Sequence, residues 1–312
     1  MRKRKDMEVK SLSKVKEVHK IDRHRPNPKA QGGTYTDDNT VHIPAVEHME
    51  VHGNLRIRPK DLEGLKAKVD DREQVLKLRN KIANQLRAYE RRTDTLSDLT
   101  KEFLRKQLVE IDEVYKGRTR LVEKAIREIG KYDKLVESAM GVEGIGPMTV
   151  AYLTAYVDLA KADHASSLWA YTGLDKPSHK RYTKGESSGG NKHLRCALWN
   201  AATSIEKNRK SPYREVYDRT KSRLSVSERM VESRNTQGKM IECMWKDAKA
   251  CHRQGAAKRK VMKYILADYW MVGRQWRDLP TNPLYAEAIL GMDGHKTVDP
   301  ITRGWKVPII EE

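Results

Sequence analysis

Two groups of residues have types and spacings that can do chemistry. The first is Gly144-Ile145-Gly146-Pro147-Met148-Thr149, set between two helical patterns. Its glycines allow a sharp turn and close backbone approach, and Pro147 suits the first turn of a helix. The N–H groups at a helix start have no intrahelical acceptor and can bind a phosphate oxygen. The second group is basic: Lys176, His179, Lys180, Arg181 and Lys184, then Asn191, Lys192, His193 and Arg195. Lys258, Arg259 and Lys260 form a later basic run. The loop that begins at Lys176 also holds three serines, Ser178, Ser187 and Ser188. A serine needs a base, a metal or a companion site to be activated, and otherwise it is a polar loop residue. Cys243, Cys251 and His252 do not have the spacing of a structural zinc site, so no metal site and no cofactor are expected.

The elements that must position these groups are helical. Residues 61–139 predict two long helices. Val75, Leu78, Ile82, Leu86 and Tyr89 form one stripe; Leu99, Phe103, Leu108, Ile111, Tyr115, Val122, Ala125 and Ile129 form the other. Thr95 or Ser97 is expected to cap the second helix, and Gly117 to loosen it. Two such helices make an antiparallel hairpin or coiled coil that can also pair with a second copy. Residues 140–278 hold the glycine turn and further helices, with Val150, Leu153 and Val157 on a buried face. Trp169, Trp199, Trp245, Trp270 and Trp276 are expected in the core. Residues 1–60 lack a sustained period and predict a basic, largely disordered tail. Residues 279–312, rich in Pro, Gly and Asp, predict an extended tail. The fold class is therefore all-α.

Charge narrows the partner. The 312 residues carry 62 Lys and Arg against 43 Asp and Glu, a formal net charge of +19. Such an excess favours a polyanion. Roughly six neutralised phosphates would give log K a slope of about −5 against log salt. No base-reading motif is evident, so low sequence specificity is expected. No apolar run is long enough for a membrane span, and the basic start leads into no apolar core of a signal peptide. Three cysteines are too few for a disulfide framework and fit a reducing compartment. Gly146→Val is expected to disrupt the turn and weaken DNA binding.

The motifs also resemble a known family. The glycine turn is followed by Ala170-Tyr171-Thr172-Gly173-Leu174, and then by Gly190-Asn191-Lys192-His193-Leu194-Arg195 and an alanine-rich helix. Order and spacing are similar to the C-terminal domain of Piv/MooV-type insertion-sequence transposases, the DEDD recombinases with bridge-RNA relatives. The resemblance covers about residues 65–275 and is interrupted by a polar stretch near 224–250. It implies a helix-hairpin-helix that binds DNA, a preceding coiled coil, an oligomer and a role in transposition.

It also implies an N-terminal RNase-H-like domain with metal-binding carboxylates and a catalytic serine within a Ser-Gly pair. Residues 1–60 lack the strand pattern such a domain needs, so no two-metal site is expected here, and Mg2+ would enter only with a separate catalytic domain. Ser178 lies nearest the family serine but precedes His179. Ser188 precedes Gly189 but sits directly against the Gly-Asn motif. The expected function is thus DNA binding in transposition, with structured RNA as a further partner and a prokaryotic or mobile-element cytoplasm as the setting. The alternatives are a serine-dependent recombinase working with a partner subunit and a helical protein-interaction protein.

Overall fold

The computed structural model describes residues 21–24, 41–44, 59–92, 94–175, 189–234, 237, 239–281 and 299–308. Among them the fold is all-α, with eight α-helices and two short strand pairs. Strands β1 (Ile21–His24) and β2 (Val41–Pro44) pair antiparallel. Four residues are too few for alternation to be legible in the sequence, and the rest of the 1–58 stretch lies outside the described residues.

Helices α1 (Pro59–Tyr89) and α2 (Thr95–Gly130) form a long antiparallel hairpin. At 1.5 Å per residue they extend roughly 46 and 54 Å. Cross-helix contacts fix the register. Tyr132 Oη, just past α2, donates to Asp61 at 2.6 Å. Arg118 pairs with Asp71 at 2.8 Å, Arg72 donates to Thr119 Oγ1 at 3.1 Å, and Arg79 pairs with Asp112.

The near end of the hairpin joins the main core through Leu65, Val69, Val122, Ile126 and Ile129. The far end has a small core of Ile82, Leu86 and Leu104 with Tyr89, Leu108 and Ile111. Leu99 and Phe103, expected on the buried stripe, are instead 64% and 59% exposed. The stripe turns around the long helix, and Leu104 takes the inward place. The N-cap is Asp94, not Thr95 or Ser97: its carboxylate accepts the Ser97 N–H at 2.8 Å. Gly117 lies within an unbroken helix.

The remaining helices are α3 (Lys134–Gly141), α4 (Pro147–Tyr156), α5 (Ala165–Tyr171), α6 (Lys192–Lys207), α7 (Tyr213–Ser225) and α8 (Ala250–Gln275). Helix α4 is buried from Thr149 to Ala155 and packs against α1, α2, α3 and α6. Close approach sets the place of α8. A Cβ on Gly273 would collide with Leu159 Cδ1 and lie 2.9 Å from Leu135 Cδ2. Next to it, Trp270 Nε1 donates to Ala162 O at 2.6 Å, and Arg274 Nη1 donates to Leu159 O and Ala162 O at 2.8 Å each. The polar stretch near 224–250 forms a second antiparallel pair, β3 (Met230–Arg234) with β4 (Met240–Met244).

The expectation of an extended tail after residue 279 fails for residues 299–308. A 3-10 turn, Pro300–Arg303, places Arg303 in a two-bond pair with buried Asp268, both contacts at 2.6 Å. Burial pushes the Asp268 carboxyl above its ordinary value, and Arg303 pulls it back. Trp305 is 2% exposed, and its Nε1 donates to Tyr213 Oη at 2.7 Å. These partners are distant in sequence, so local composition did not reveal them. Trp270 fulfils the core expectation, but Trp199 is 40% exposed and Trp245 is only partly buried after β4.

Candidate functional site

The glycine turn links α3 to α4. Asp133 caps α3, accepting the Val136 N–H at 2.9 Å. Ile145 N donates to Val142 O at 3.1 Å, and both side chains are buried. Gly144 has φ +98°, and a Cβ there would lie 2.7 Å from Ile205 Cγ1 and 2.9 Å from Ser211 Oγ. The turn is therefore pressed against the end of α6 and the segment after it. Ser211 Oγ donates to Glu143 O at 2.7 Å, and Asn208 Nδ2 donates to Glu143 Oε1 at 2.6 Å.

Gly146 differs. It is the N-cap of α4, with φ −78° and ψ 163°, and no side chain caps it. Nothing lies within 4 Å of the place a Cβ would take. A β-branched residue fits such backbone angles. The expectation that Gly146→Val disrupts the turn is therefore corrected: Gly144 is the glycine the turn demands. Gly146 leaves open the approach to the first N–H groups of α4, those of Met148 and Thr149, which have no acceptor within the helix. The Thr149 side chain itself is buried.

The second motif ties the two ends of the basic loop together. Asn191 N donates to Tyr171 O at 2.6 Å, and Asn191 Nδ2 donates to Tyr171 Oη at 3.0 Å. Asn191 Oδ1 also accepts the Leu194 N–H at 2.9 Å and so caps α6. Gly190 has φ +72°, and a Cβ there would meet Tyr171 O at 2.6 Å. The Tyr-x-Gly-Leu and Gly-Asn segments are thus two halves of one loop base. Lys176, Ser178, Lys180, Arg181, Lys184, Ser187 and Ser188 lie outside the described residues. Lys192 is exposed beside this base, and Arg195 is partly buried.

A polar network anchors the same end of α6 to the long hairpin. His193 Nδ1 lies 2.7 Å from Glu73 Oε2. Tyr152 Oη also bonds Glu73 and accepts from Arg72 at 2.8 Å. Tyr156 Oη donates to Asp70 at 2.6 Å. Burial, with these carboxylates, raises both phenols well above their ordinary range. Sequence reading missed this network, because Arg72 and Glu73 look like solvated helix charges.

The glycine turn and the loop base stand at opposite ends of α6. Sixteen residues separate them along that helix, roughly 24 Å. The sequence suggested one positive site beside the glycine turn; the structure sets the two apart.

Residues 136–218 match the family model of the transposase IS116/IS110/IS902 family. The matched stretch runs from α3 into α7 and holds the turn, the loop base and α6, and is similar to a transposase-type domain over those residues. Helices α1, α2 and α8 lie outside it. No curated protein matches the chain.

The basic run at the start of α8 is divided in role. Lys258 pairs with Glu206 at 2.7 Å and lies 5.2 Å from the Trp199 ring centroid. Arg259 Nη2 donates to Leu174 O at 3.4 Å. Lys260 and Lys263 are held below the usual lysine range, chiefly by burial and further by neighbouring cations. Among the described residues no three His, Cys, Asp or Glu side chains gather as a metal site. None of their helices is long and apolar enough to cross a membrane.

Proposed function

We propose that the protein binds DNA in transposition, holding the phosphate backbone through the turn between α3 and α4 and through the cations around the base of the 176–188 loop. The observation that carries this reading is the uncapped start of α4 at exposed Gly146, inside the transposase-family match. A helix start with free N–H groups and an open approach suits an anion, and the charge of +19 supplies the polyanion preference. Metal-dependent strand chemistry would come from a catalytic unit outside residues 59–308. The exposed Leu96, Leu99, Phe103 and Val109 on α2 support self-association through the long hairpin, and structured RNA is a further partner of the same backbone-reading kind.

The test compares Gly146→Val with wild type on duplex DNA by fluorescence anisotropy. The variant folds and binds more weakly. Unchanged affinity in the folded variant refutes the turn as a phosphate site.

The loop base favours a second reading. Asn191 and Tyr171 hold together the ends of a loop that contains Ser178, Ser187 and Ser188. A serine nucleophile needs this kind of support. Nicking or strand transfer on element-end DNA that disappears in Ser178→Ala or Ser187→Ala would establish this recombinase role; activity indifferent to both would remove it.

A further inference from the structure

A second basic site lies away from the turn. Helices α7 and α8, the β3–β4 pair and the end of the Gly173-Leu174 segment border an open pocket of about 350 Å³, within the range of ligand sites. Five cations line it, Arg223, Arg229, Arg259, Lys260 and Lys263, against one carboxylate, Asp175. Arg223, Arg229, Lys260 and Lys263 form no ion pair among the described residues. Elsewhere on α8, Lys258 has its glutamate and Arg274 its carbonyls. Cations gathered without a counter-charge repel one another, as Lys260 and Lys263 show, lowered by burial and then by neighbouring cations, and an anion relieves that repulsion.

Apart from Thr220, the rest of the wall is apolar and includes Leu174, Leu224, Met230 and Trp245. Trp245 is fixed in place rather than folded into the core. Its backbone N–H donates to Arg229 O at 3.0 Å, its backbone carbonyl accepts from Arg253 at 3.2 Å, and its ring tilts against His252 at 5.9 Å. Arg253 also donates to Lys246 O at 2.9 Å, clamping the β3–β4 pair to α8. Apart from Leu174 and Asp175, every lining residue lies beyond residue 218, outside the family match. The pocket therefore lies almost wholly outside the matched residues.

We propose that this pocket takes one nucleotide of a single strand, its phosphate held by the Arg and Lys cluster and its base against Trp245 and Met230. A duplex presents phosphates on a convex surface with its bases stacked inside. A concave site with cations on one side and an aromatic ring on the other fits an unstacked nucleotide. The strand, rather than another anion, rests on the DNA-binding reading above; the pocket's charge does not.

The test uses the full chain, a 3′-fluorescein-labelled oligothymidylate and a labelled duplex, read by anisotropy at one salt concentration. Arg223→Gln and Lys263→Gln each weaken single-strand binding roughly tenfold, as expected for one lost charge-assisted contact, and leave the duplex within about twofold. Arg223 is exposed, so its variant keeps the fold. Tryptophan quenching on single-strand binding falls in Trp245→Leu. Unchanged single-strand affinity in both charge variants overturns the site. Equal losses for strand and duplex also overturn it, since they describe a general basic surface. Displacement by thymidine monophosphate as effective as by unlabelled strand assigns the pocket to free nucleotides and overturns the strand. Gly146→Val separates the two sites: a duplex affinity it leaves unchanged refutes the turn, while the strand result still decides the pocket.

Discussion

Gly144 and Gly146 stand two residues apart and should respond in opposite ways to the same methyl group. At Gly144, with φ +98°, alanine must adopt a left-handed backbone, costing about 1–2 kcal/mol. Its Cβ would also lie 2.7 Å from Ile205 Cγ1 and 2.9 Å from Ser211 Oγ. Overpacking of this kind costs about 1–3 kcal/mol. Together they give a loss of about 2–5 kcal/mol, or roughly 10 °C in Tm for a domain of this size. At Gly146 the backbone angles suit alanine and the space is open. The small loss at an N-cap is offset by reduced unfolded-state entropy, so the change stays within about 1 kcal/mol. The assay is thermal unfolding followed by circular dichroism, with both variants beside wild type. A Gly144→Ala variant as stable as wild type, or a Gly146→Ala variant that falls as far as Gly144→Ala, refutes the division between a turn-making and an approach-making glycine.

Three further outcomes follow from the same contacts. Arg303→Met leaves Asp268 buried and unpaired and costs about 3–5 kcal/mol at neutral pH. In this variant the folded Asp268 pKa lies above its unfolded value, so the folded state binds the proton more tightly; the deficit in urea unfolding shrinks as pH falls through the raised pKa. Asn191→Ala removes the α6 cap and the Tyr171 contact and lowers stability by about 1 kcal/mol or more, whereas Lys192→Ala, at an exposed site, changes thermal stability little. Phe103→Asp, on the exposed face of α2, keeps Tm within about 1 °C of wild type but lowers the mass measured by light scattering if the hairpin self-associates.

The helices around the candidate site were legible because their signals are local. Pro147 after Gly146, and Asn191 before an apolar period, mark helix starts that the structure places at the same residues. The hairpin of α1 and α2 was legible for the same reason, but which face turns inward along more than 30 residues was not. Small drifts in helical phase accumulate over that length, and Leu99 and Phe103 fell outside. What escaped depends on distant partners. Arg303 finds Asp268 35 residues away, and Trp305 finds Tyr213 92 residues away. The basic pocket gathers Leu174, Arg223, Arg229 and Lys263 from three parts of the chain. No window of sequence contains it: the run Lys258-Arg259-Lys260 is visible as a basic patch, but nothing local joins it to Arg223 or Arg229. Gly144 and Gly146 read as equivalent until the contact with Ile205 separated them.

In the proposed function the protein holds a nucleic-acid backbone through its cations and helix start. The direct measurement is the anisotropy of a labelled duplex titrated with wild-type protein over a range of salt concentrations. If roughly six phosphates are engaged, log K falls with a slope of about −5, close to a thousandfold between 50 and 200 mM salt. Absent binding, or an affinity indifferent to salt, would contradict the account.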